Sequence, residues 1–350
     1  MLPQNIRILF LIFGSQVSAF ALTLLLAPKF IQLLHKYKIG KNLREIASTG
    51  EKASIFQQLH FKKAGTPTMG GILIWGGALI IVLASGLSSL LHITEHSLLS
   101  RQETWLPIFT LVTTALLGAI DDYLNLKGKG TSKGLNMKPK FLWLTLFALM
   151  GALWFHYRLG YDQIHVPFFG DLTLGIWYIP LFILVITASA NAVNFTDGLD
   201  GLAGGLLVIA FGAFAILAYA KGLFILSAFC AVLVGAILGF LWFNIFPAHF
   251  YMGDTGAWSL GATLGVIAMM TDSVAVLPLI GFVFVIETLS VIIQLVGKKY
   301  FKRKVFHIAP LHHHFEKIGW SEPNIVMRFW IIGGSCAMIG LILGLVAIKG

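Results

Sequence analysis

Long runs of apolar residues, separated by short polar segments, recur along the whole chain of 350 residues. As a helix, each run is long enough to cross the ~30 Å of hydrocarbon in a bilayer. Inside lipid a helix also satisfies its own backbone N–H and C=O groups. The pattern therefore predicts an all-α integral membrane protein with about ten transmembrane helices, near residues 8–28, 70–91, 105–121, 141–156, 174–193, 201–219, 223–243, 256–271, 275–296 and 325–348.

The polar segments between these runs are too short to form a separate soluble domain. We therefore expect residues 1–350 to form a single polytopic membrane domain. Segment 157–173 alternates in character and contains glycines, as a small β-hairpin does, although a plain connector fits equally well. Residues 41–58 fit either a short surface helix or an irregular segment.

The charged residues predict the orientation of the helices. The chain is 57% hydrophobic and 11% charged, with a net charge of +10. Of its 25 Lys and Arg, the loops 36–67, 127–140 and 297–320 hold 7, 5 and 6. The positive-inside rule makes these loops cytoplasmic and, with ten spans, both termini periplasmic. Basic residues distributed by loop indicate a lipid bilayer as the partner and exclude nucleic acid.

Several acidic residues fall at or near the helix ends that face the basic loops. Carboxylates near lipid are costly, so such groups normally face a wet cavity, a partner or an ion. Ordinary loop carboxylates, solvated beside lysines, are the alternative for any one of them. The acidic residues in question are Asp121, Asp122, Asp197, Asp200, Asp254, Glu287 and Glu316.

Asp121 and Asp122 close an apolar run. Adjacent positions on a helix diverge by about 100°, so the two carboxylates cannot face one atom. We expect one to face the reacting centre and the other to hold a cation, a lysine or a backbone group. Asp254 begins a helix between glycines, where it fits either an N-cap or an Mg²⁺ ligand.

Two further segments combine polar groups with glycines at a helix start. Asp197 and Asp200, three residues apart, fit either a capping box or a substrate site beside Asn194. Lys63 and Thr68 lead into the second span, where a lysine, hydroxyls and free amides can hold an anion. A glycine-rich turn with Pro67 at the first helical position is the alternative there.

The last two polar motifs lie near the third basic loop. Glu287 and Gln294 are seven residues apart, so they share a helix face and form either a polar wall or a packing contact. Three consecutive histidines at 312–314 fan out on a helix and rarely form a tetrahedral zinc site. Hydrogen bonding to phosphate or sugar, or acid–base work, suits His313 and His314 better.

Taken together, these motifs resemble the polyprenyl-phosphate N-acetylhexosamine-1-phosphate transferases over nearly the whole chain. The resemblance lies in six segments in the same order, of which PLHHHFE is typical of the branch that transfers phospho-MurNAc-pentapeptide. The six segments are GTPTMGG at 65–71, the Asp121-Asp122 pair, NAVNFTDGLDGLAGG at 191–205, MGDTG at 252–256, ETLSVIIQ at 287–294 and APLHHHFE at 309–316.

The resemblance implies an enzyme of the bacterial inner membrane that moves phospho-MurNAc-pentapeptide from UDP-MurNAc-pentapeptide to undecaprenyl phosphate, with release of UMP. It further implies a requirement for Mg²⁺, bound by Asp254, and it suggests a homodimer. Asp121 and Asp122 serve the lipid phosphate or the metal in this interpretation, with Asp121 as general base. The substrate-binding residues that it implies are Lys63, Thr68, Asn194, Asp197, Asp200, Asn244, Tyr251, Gln294, His313 and His314.

Two aspects of the mechanism and function stay open at the level of sequence. Direct attack by the lipid phosphate competes with a two-step route through an acyl-phosphate, and we favour direct attack because few basic residues lie near Asp121 in the sequence to activate it. A GlcNAc-1-phosphate transferase and a lipid or solute transporter are the alternative functions. A transporter predicts polar residues along both halves of the helices rather than at one end.

Overall fold

The computed structural model describes residues 3–37, 39–40, 63, 65–91, 97–100, 104–127 and 137–348. The segment 41–58, for which we considered a surface helix, lies outside these residues. Within the described part of the chain, helices account for most residues and the strands form a single small hairpin.

In the described ranges, four α-helices precede the hairpin and eight follow it. The first four are α1 (Gln4–Lys36), α2 (Gly71–Leu90), α3 (Trp105–Leu126) and α4 (Met137–Leu153). The remaining eight are α5 (Tyr178–Thr196), α6 (Leu202–Ala220), α7 (Phe224–Asn244), α8 (Asp254–Met270), α9 (Leu277–Ile280), α10 (Phe282–Tyr300), α11 (Leu311–Lys317) and α12 (Glu322–Val346).

Each predicted span coincides with a helix or with a bent pair of helices. In the described residues, eight helices are long and apolar enough to cross a bilayer, and a ninth is counted if 274–280 and α10, which meet at 82°, form one span. Helix α8, which corresponds to the eighth predicted span, has 17 residues and is buried along nearly its whole length. The chain is thus a helical, multi-pass membrane protein.

The bundle is arranged around the two most buried helices, α7 and α8. Helix α1 packs along α7, while α3 and α5 pack against α8. Large apolar side chains on α1, α4 and α12 are exposed, as expected of helices that face lipid. Helix α8 is therefore surrounded by protein, and its first residue, Asp254, lies at the end of the bundle where the basic loops attach. We call this the site end.

Glycines allow other helices to approach the start of α8 at backbone distance. A methyl group on Gly71 of α2 would lie 2.3 Å from the backbone N and Cα of Gly256. A methyl group on Gly118 of α3 would lie 2.3 Å from the carbonyl oxygen of Asp254. Small residues at such crossings are the usual means of close helix packing in membranes. Here they place α2 and α3 directly on the first turn of α8.

The segment predicted as a hairpin or a connector is a hairpin. Strands β1 (Gln163–Val166) and β2 (Gly170–Thr173) pair antiparallel, with Ile164 opposite Leu172. The hairpin is attached to the bundle by Asp272, whose carboxylate accepts the backbone N–H of His165 at 2.8 Å. It lies at the end of α4 and the start of α5, away from the site end.

We predict that Gly71→Ala lowers the melting temperature of the purified protein in detergent by several degrees. The added methyl group has no room against Gly256, and overpacking of this kind costs about 1–3 kcal/mol. Gly76→Ala, in the same helix, is the control, because a methyl group there meets nothing within 4 Å. Equal melting temperatures for the two variants would contradict the proposed packing.

Candidate active site

Backbone hydrogen bonds connect the segment before α8 to the glycine-rich segment before α2. Tyr251 donates its N–H to the carbonyl of Pro67 at 2.8 Å, and its own carbonyl accepts the N–H of Gly70 at 2.7 Å. Gly253 then turns the chain with a φ of 75°, a left-handed value that favours glycine. These hydrogen bonds bring the GTPTMGG and MGDTG segments together, and Asp254 is the next residue after Gly253.

Asp122 caps α8 from a neighbouring helix. Its buried carboxylate accepts the backbone N–H of Asp254 at 3.2 Å and that of Thr255 at 3.1 Å. These are N–H groups of a first helical turn, which have no partner within their own helix. Asp254 is thus not the N-cap that one interpretation of the sequence allowed, and its side chain is left for other partners.

Asp121 and Asp254 share the ammonium group of Lys140. Lys140 Nζ contacts Asp121 Oδ2 closely and lies 3.1 Å from Asp254 Oδ2. The other oxygen of Asp254 accepts an N–H from Asn194 at 2.9 Å. We call Asp121, Lys140, Asn194 and Asp254 the carboxylate cluster. As expected for adjacent positions on a helix, the two neighbouring aspartates of α3 diverge, one toward a lysine and the other toward backbone.

Lys140 was missed as a site residue by sequence reasoning. It was counted only among the charges of the loop 127–140, although it stands at the start of an apolar run and is 8% exposed. A lysine at the first turn of a membrane helix was the available signal. Its position also shows that our premise of few basic partners near Asp121 is wrong, because distance along the chain does not reveal contacts between α3 and α4.

A second group of charges surrounds Lys63. Its ammonium lies 2.6 Å from Asp200 and 2.5 Å from Glu322, the first residue of α12. Asp200 also accepts the N–H of Ala248 at 2.9 Å. We call Lys63, Asp200 and Glu322 the lysine cluster. Sequence reasoning did not include Glu322, and it expected Lys63 to face an anion from the substrate rather than two carboxylates.

Asp197 and Asp200 are not the members of a capping box. Helix α5 ends at Thr196 and α6 begins at Leu202, with Gly201 as the N-cap and no side-chain cap bond. The two aspartates therefore lie in the connecting segment 197–201, which we call the acid loop. Its geometry excludes the capping interpretation.

Tyr251 lies between the two clusters. Burial raises the pKa of its hydroxyl, and the carboxylates of Asp200, Glu322 and Asp197 raise it further. The phenol therefore stays protonated as a hydrogen-bond donor. Ala248, which Asp200 binds, Tyr251 and Asp254 belong to one short segment, so this segment connects the lysine cluster to the carboxylate cluster.

Three predicted substrate-binding residues are engaged with the protein's own backbone. Asn244 accepts the N–H of Gly201 at 3.1 Å and donates to the carbonyl of Phe250 at 2.9 Å. The buried amide of Gln294 binds the N–H groups of 305 and 306 and the carbonyl of 306. The backbone N–H of Thr68 donates to the carbonyl of Ile39 at 3.1 Å, and its side chain is buried beside Gly253. In this structure the three residues shape the walls of the site.

The histidines lie on the short helix α11. Nδ1 of His313 is 2.6 Å from Glu316, and the ring of His314 stacks on that of His307 at 5.2 Å between centroids. His312 is fully buried against Glu287, at 3.1 Å. Glu287 and Gln294 lie on one buried face of α10, as their spacing predicted.

The carboxylate cluster has the chemistry that Mg²⁺ requires. Among the described residues no group of three or more His, Cys, Asp or Glu side chains is arranged to hold a metal ion. Mg²⁺ is usually held by one or two carboxylates together with water and substrate phosphates. Asp121 and Asp254 present two carboxylates to one cation, Lys140, and Asn194 adds an amide. These oxygen donors fit Mg²⁺.

Comparison with known proteins gives two family matches, and both include residues of the candidate active site. The family model Glycosyl transferase family 4 matches residues 104–272, and the phospho-N-acetylmuramoyl-pentapeptide-transferase signature 1 matches residues 63–74. Relatives named phospho-N-acetylmuramoyl-pentapeptide-transferase from Chloroflexus aggregans and Chloroflexus aurantiacus are each 39% identical over 343 residues, covering 94% of this chain and 88% of the relative. A relative of the same name from a Geobacillus species is 41% identical over 328 residues, covering 93% and 95%.

This chain belongs to the phospho-N-acetylmuramoyl-pentapeptide transferases. The membership makes it an enzyme that transfers a glycosyl 1-phosphate group, as the resemblance of its motifs indicated. The match to the transferase signature begins at Lys63 of the lysine cluster. The longer family match contains Asp121, Asp254 and the acid loop, so the similarity covers both clusters.

We predict that Lys140→Met lowers the transferase activity about 100-fold, as removal of a preorganised charge in an active site commonly does. The variant leaves Asp121 and Asp254 facing each other without a cation. Lys140→Arg, which keeps the charge, retains more activity. The control is Lys127→Met, because Lys127 is exposed and lies over the ring of Tyr123 at 4.6 Å. Full activity of Lys140→Met in an assay of product formation would refute this role.

Proposed function

We propose that the chain transfers phospho-MurNAc-pentapeptide from UDP-MurNAc-pentapeptide to undecaprenyl phosphate, which yields lipid I and UMP, with Mg²⁺ required. The observation that carries the proposal is the carboxylate cluster, in which acids from α3 and α8 converge on one cation at the site end. Family membership supports the same reaction, since the relatives carry the name of this transferase.

The reaction joins two phosphates and needs little acid–base chemistry. An oxygen of the lipid phosphate attacks the phosphorus that bears the sugar, the bond from that phosphorus to the bridging oxygen breaks, and UMP leaves with that oxygen. Because the attacking phosphate is already an anion near neutral pH, positioning and charge neutralisation are the main tasks of the protein. This favours direct attack over a covalent intermediate. The earlier premise for direct attack, that few basic residues lie near Asp121, is wrong because Lys140 contacts it.

The residues of the carboxylate cluster divide the remaining work in this proposal. Asp121 takes the last proton of the lipid phosphate and holds Lys140, which neutralises charge on the phosphates. Asp254 with Asn194 holds the divalent cation. When bound there, Mg²⁺ supplies positive charge to the two phosphates and orients them. Asp122 keeps the start of α8 in place through its two hydrogen bonds to backbone N–H groups.

The nucleotide-sugar occupies the region around the lysine cluster in this proposal. The ring of Tyr251 provides a flat face for the uracil base, and Asp197, Asp200 and Lys63 surround it. His313 and His314 on α11 contact the sugar-phosphate or the peptide. The pairing of Lys63 with Asp200 and Glu322 keeps the lysine in place before the substrate arrives.

The proposed location is the bacterial inner membrane, with the site end in the cytoplasm and both termini in the periplasm. The three basic loops, which attach at the site end, support this orientation through the positive-inside rule. UDP-MurNAc-pentapeptide is a charged, water-soluble molecule, so it reaches the site from the cytoplasm. The lipid acceptor reaches it from the bilayer.

We predict that purified protein releases UMP from UDP-MurNAc-pentapeptide when undecaprenyl phosphate and Mg²⁺ are both present. Asp254→Ala abolishes this release at every Mg²⁺ concentration while the melting temperature stays close to that of the wild type. Asp162→Asn, at the hairpin end, is the control and remains active.

Three outcomes of this assay would count against the proposal. Turnover of UDP-GlcNAc alone would show that the substrate is wrong. No UMP release under any condition would favour a transporter. Full recovery of Asp254→Ala by excess Mg²⁺ would reduce Asp254 to a supporting role.

A further inference from the structure

One buried contact between a carboxylate and a histidine at the site end has no part in the proposed chemistry. Glu287 of α10 and His312 of α11 are both 0% exposed. One oxygen of Glu287 lies 3.1 Å from His312 Nδ1, and the other accepts the backbone N–H of His312 at 3.1 Å. Polar groups withdrawn from water cost free energy unless hydrogen bonds replace their hydration, and an apolar pair of the same volume is often as stable. Stability alone therefore does not explain this pair.

The far edge of the His312 ring rests on the acid loop. A methyl group on Gly198 would lie 2.2 Å from His312 Nε2 and 2.8 Å from the adjacent ring carbon. Within the described residues neither ring nitrogen makes a hydrogen bond, although Nδ1 lies 3.1 Å from Glu287. The imidazole therefore lies against a carboxylate on one side and against backbone between Asp197 and Asp200 on the other.

Two residues on this buried face of α10 bind the two ends of the segment that leads into α11. Gln294 binds the backbone of Val305 and Phe306, and Glu287 binds that of His312. The next two residues after His312 are His313 and His314. The ring of His312 therefore separates two parts of the proposed nucleotide-sugar site, the acid loop and the histidines on α11.

We propose that Glu287 and His312 are positioning residues, which together set the distance between the acid loop and His313–His314. This inference rests on the proposed function, because it assumes that both parts bind the nucleotide-sugar. The imidazole acts as a rigid spacer, and the carboxylate fixes its plane and its position. A flexible apolar side chain in the same space would fill it without fixing the spacing, since long unbranched side chains have several rotamers.

The experiment is a double-mutant cycle between Gly198 and His312. Gly198 has no left-handed φ, so Gly198→Ala adds a methyl group without straining the backbone. We expect Gly198→Ala to raise the KM for UDP-MurNAc-pentapeptide, and its Kd measured by calorimetry, about tenfold, while kcat changes much less. In a His312→Ala background, where the ring is absent, Gly198→Ala should raise KM and Kd no further.

Two further measurements keep the test decisive. Ser290→Ala is the matched control on α10, because the Ser290 hydroxyl bonds to the carbonyl of Glu287 in its own helix at 2.6 Å. Melting temperatures identify any variant that fails to fold. If His312→Ala fails, His312→Asn replaces it, since asparagine is shorter than the ring and keeps a polar group beside Glu287.

The results separate this inference from the proposed function. Wild-type KM and Kd for Gly198→Ala, or an equal rise in both backgrounds, would overturn the spacer role. Wild-type protein that neither binds nor converts UDP-MurNAc-pentapeptide would instead defeat the proposed function. A tenfold rise that disappears without the ring supports the spacer.

Discussion

Opposite charges at the site end are held in contact with each other, and the rest of the site depends on this pairing. Lys140 joins Asp121 of α3 to Asp254 of α8, and Lys63 joins Asp200 to Glu322. Ionised groups withdrawn from water are tolerated when such partners or hydrogen bonds replace the lost hydration. Each pair also links segments that are far apart in the chain. The ions therefore fix the relative positions of the helices as well as the local charge.

Asp122 extends this principle from ions to the partial charges of the backbone. The amides at the start of a helix carry partial positive charge, and a carboxylate placed there is stabilised. Because the capping carboxylate comes from another helix, α3 and α8 cannot shift along each other without loss of these hydrogen bonds. The glycines that bring the two backbones together make the contact possible, since a side chain at Gly118 would collide with Asp254. The packing of α3 against α8 and the geometry of the site therefore depend on the same contact.

The sequence was sufficient to predict the helices, the hairpin as one of two options, and the family, because these depend on local apolar patterns and on ordered motifs. It did not predict which side chains pair. Lys140 and Glu322 lie at helix starts far in the sequence from their partners, and no local signal connects them. Asn244 and Gln294 carry polar groups that suit a substrate equally well, but their amides are engaged with backbone that only the folded chain brings near. Residue type thus indicated the region, while partner assignment required the tertiary structure.

The length of α8 has a consequence for how the two substrates meet. Its 17 residues span about 25 Å at 1.5 Å per residue, less than the ~30 Å of the hydrocarbon layer. A lipid-facing helix of that length would distort the bilayer, but α8 is enclosed by its neighbours and is free of this requirement. Its first residue meets Gly118 of α3, eight residues before α3 ends at Leu126, so the start of α8 is recessed by about 12 Å from the end of that helix. A polyprenyl carrier keeps its chain in the hydrocarbon and its headgroup at the boundary. A recessed reaction centre therefore lets the headgroup react while the chain stays in the hydrocarbon.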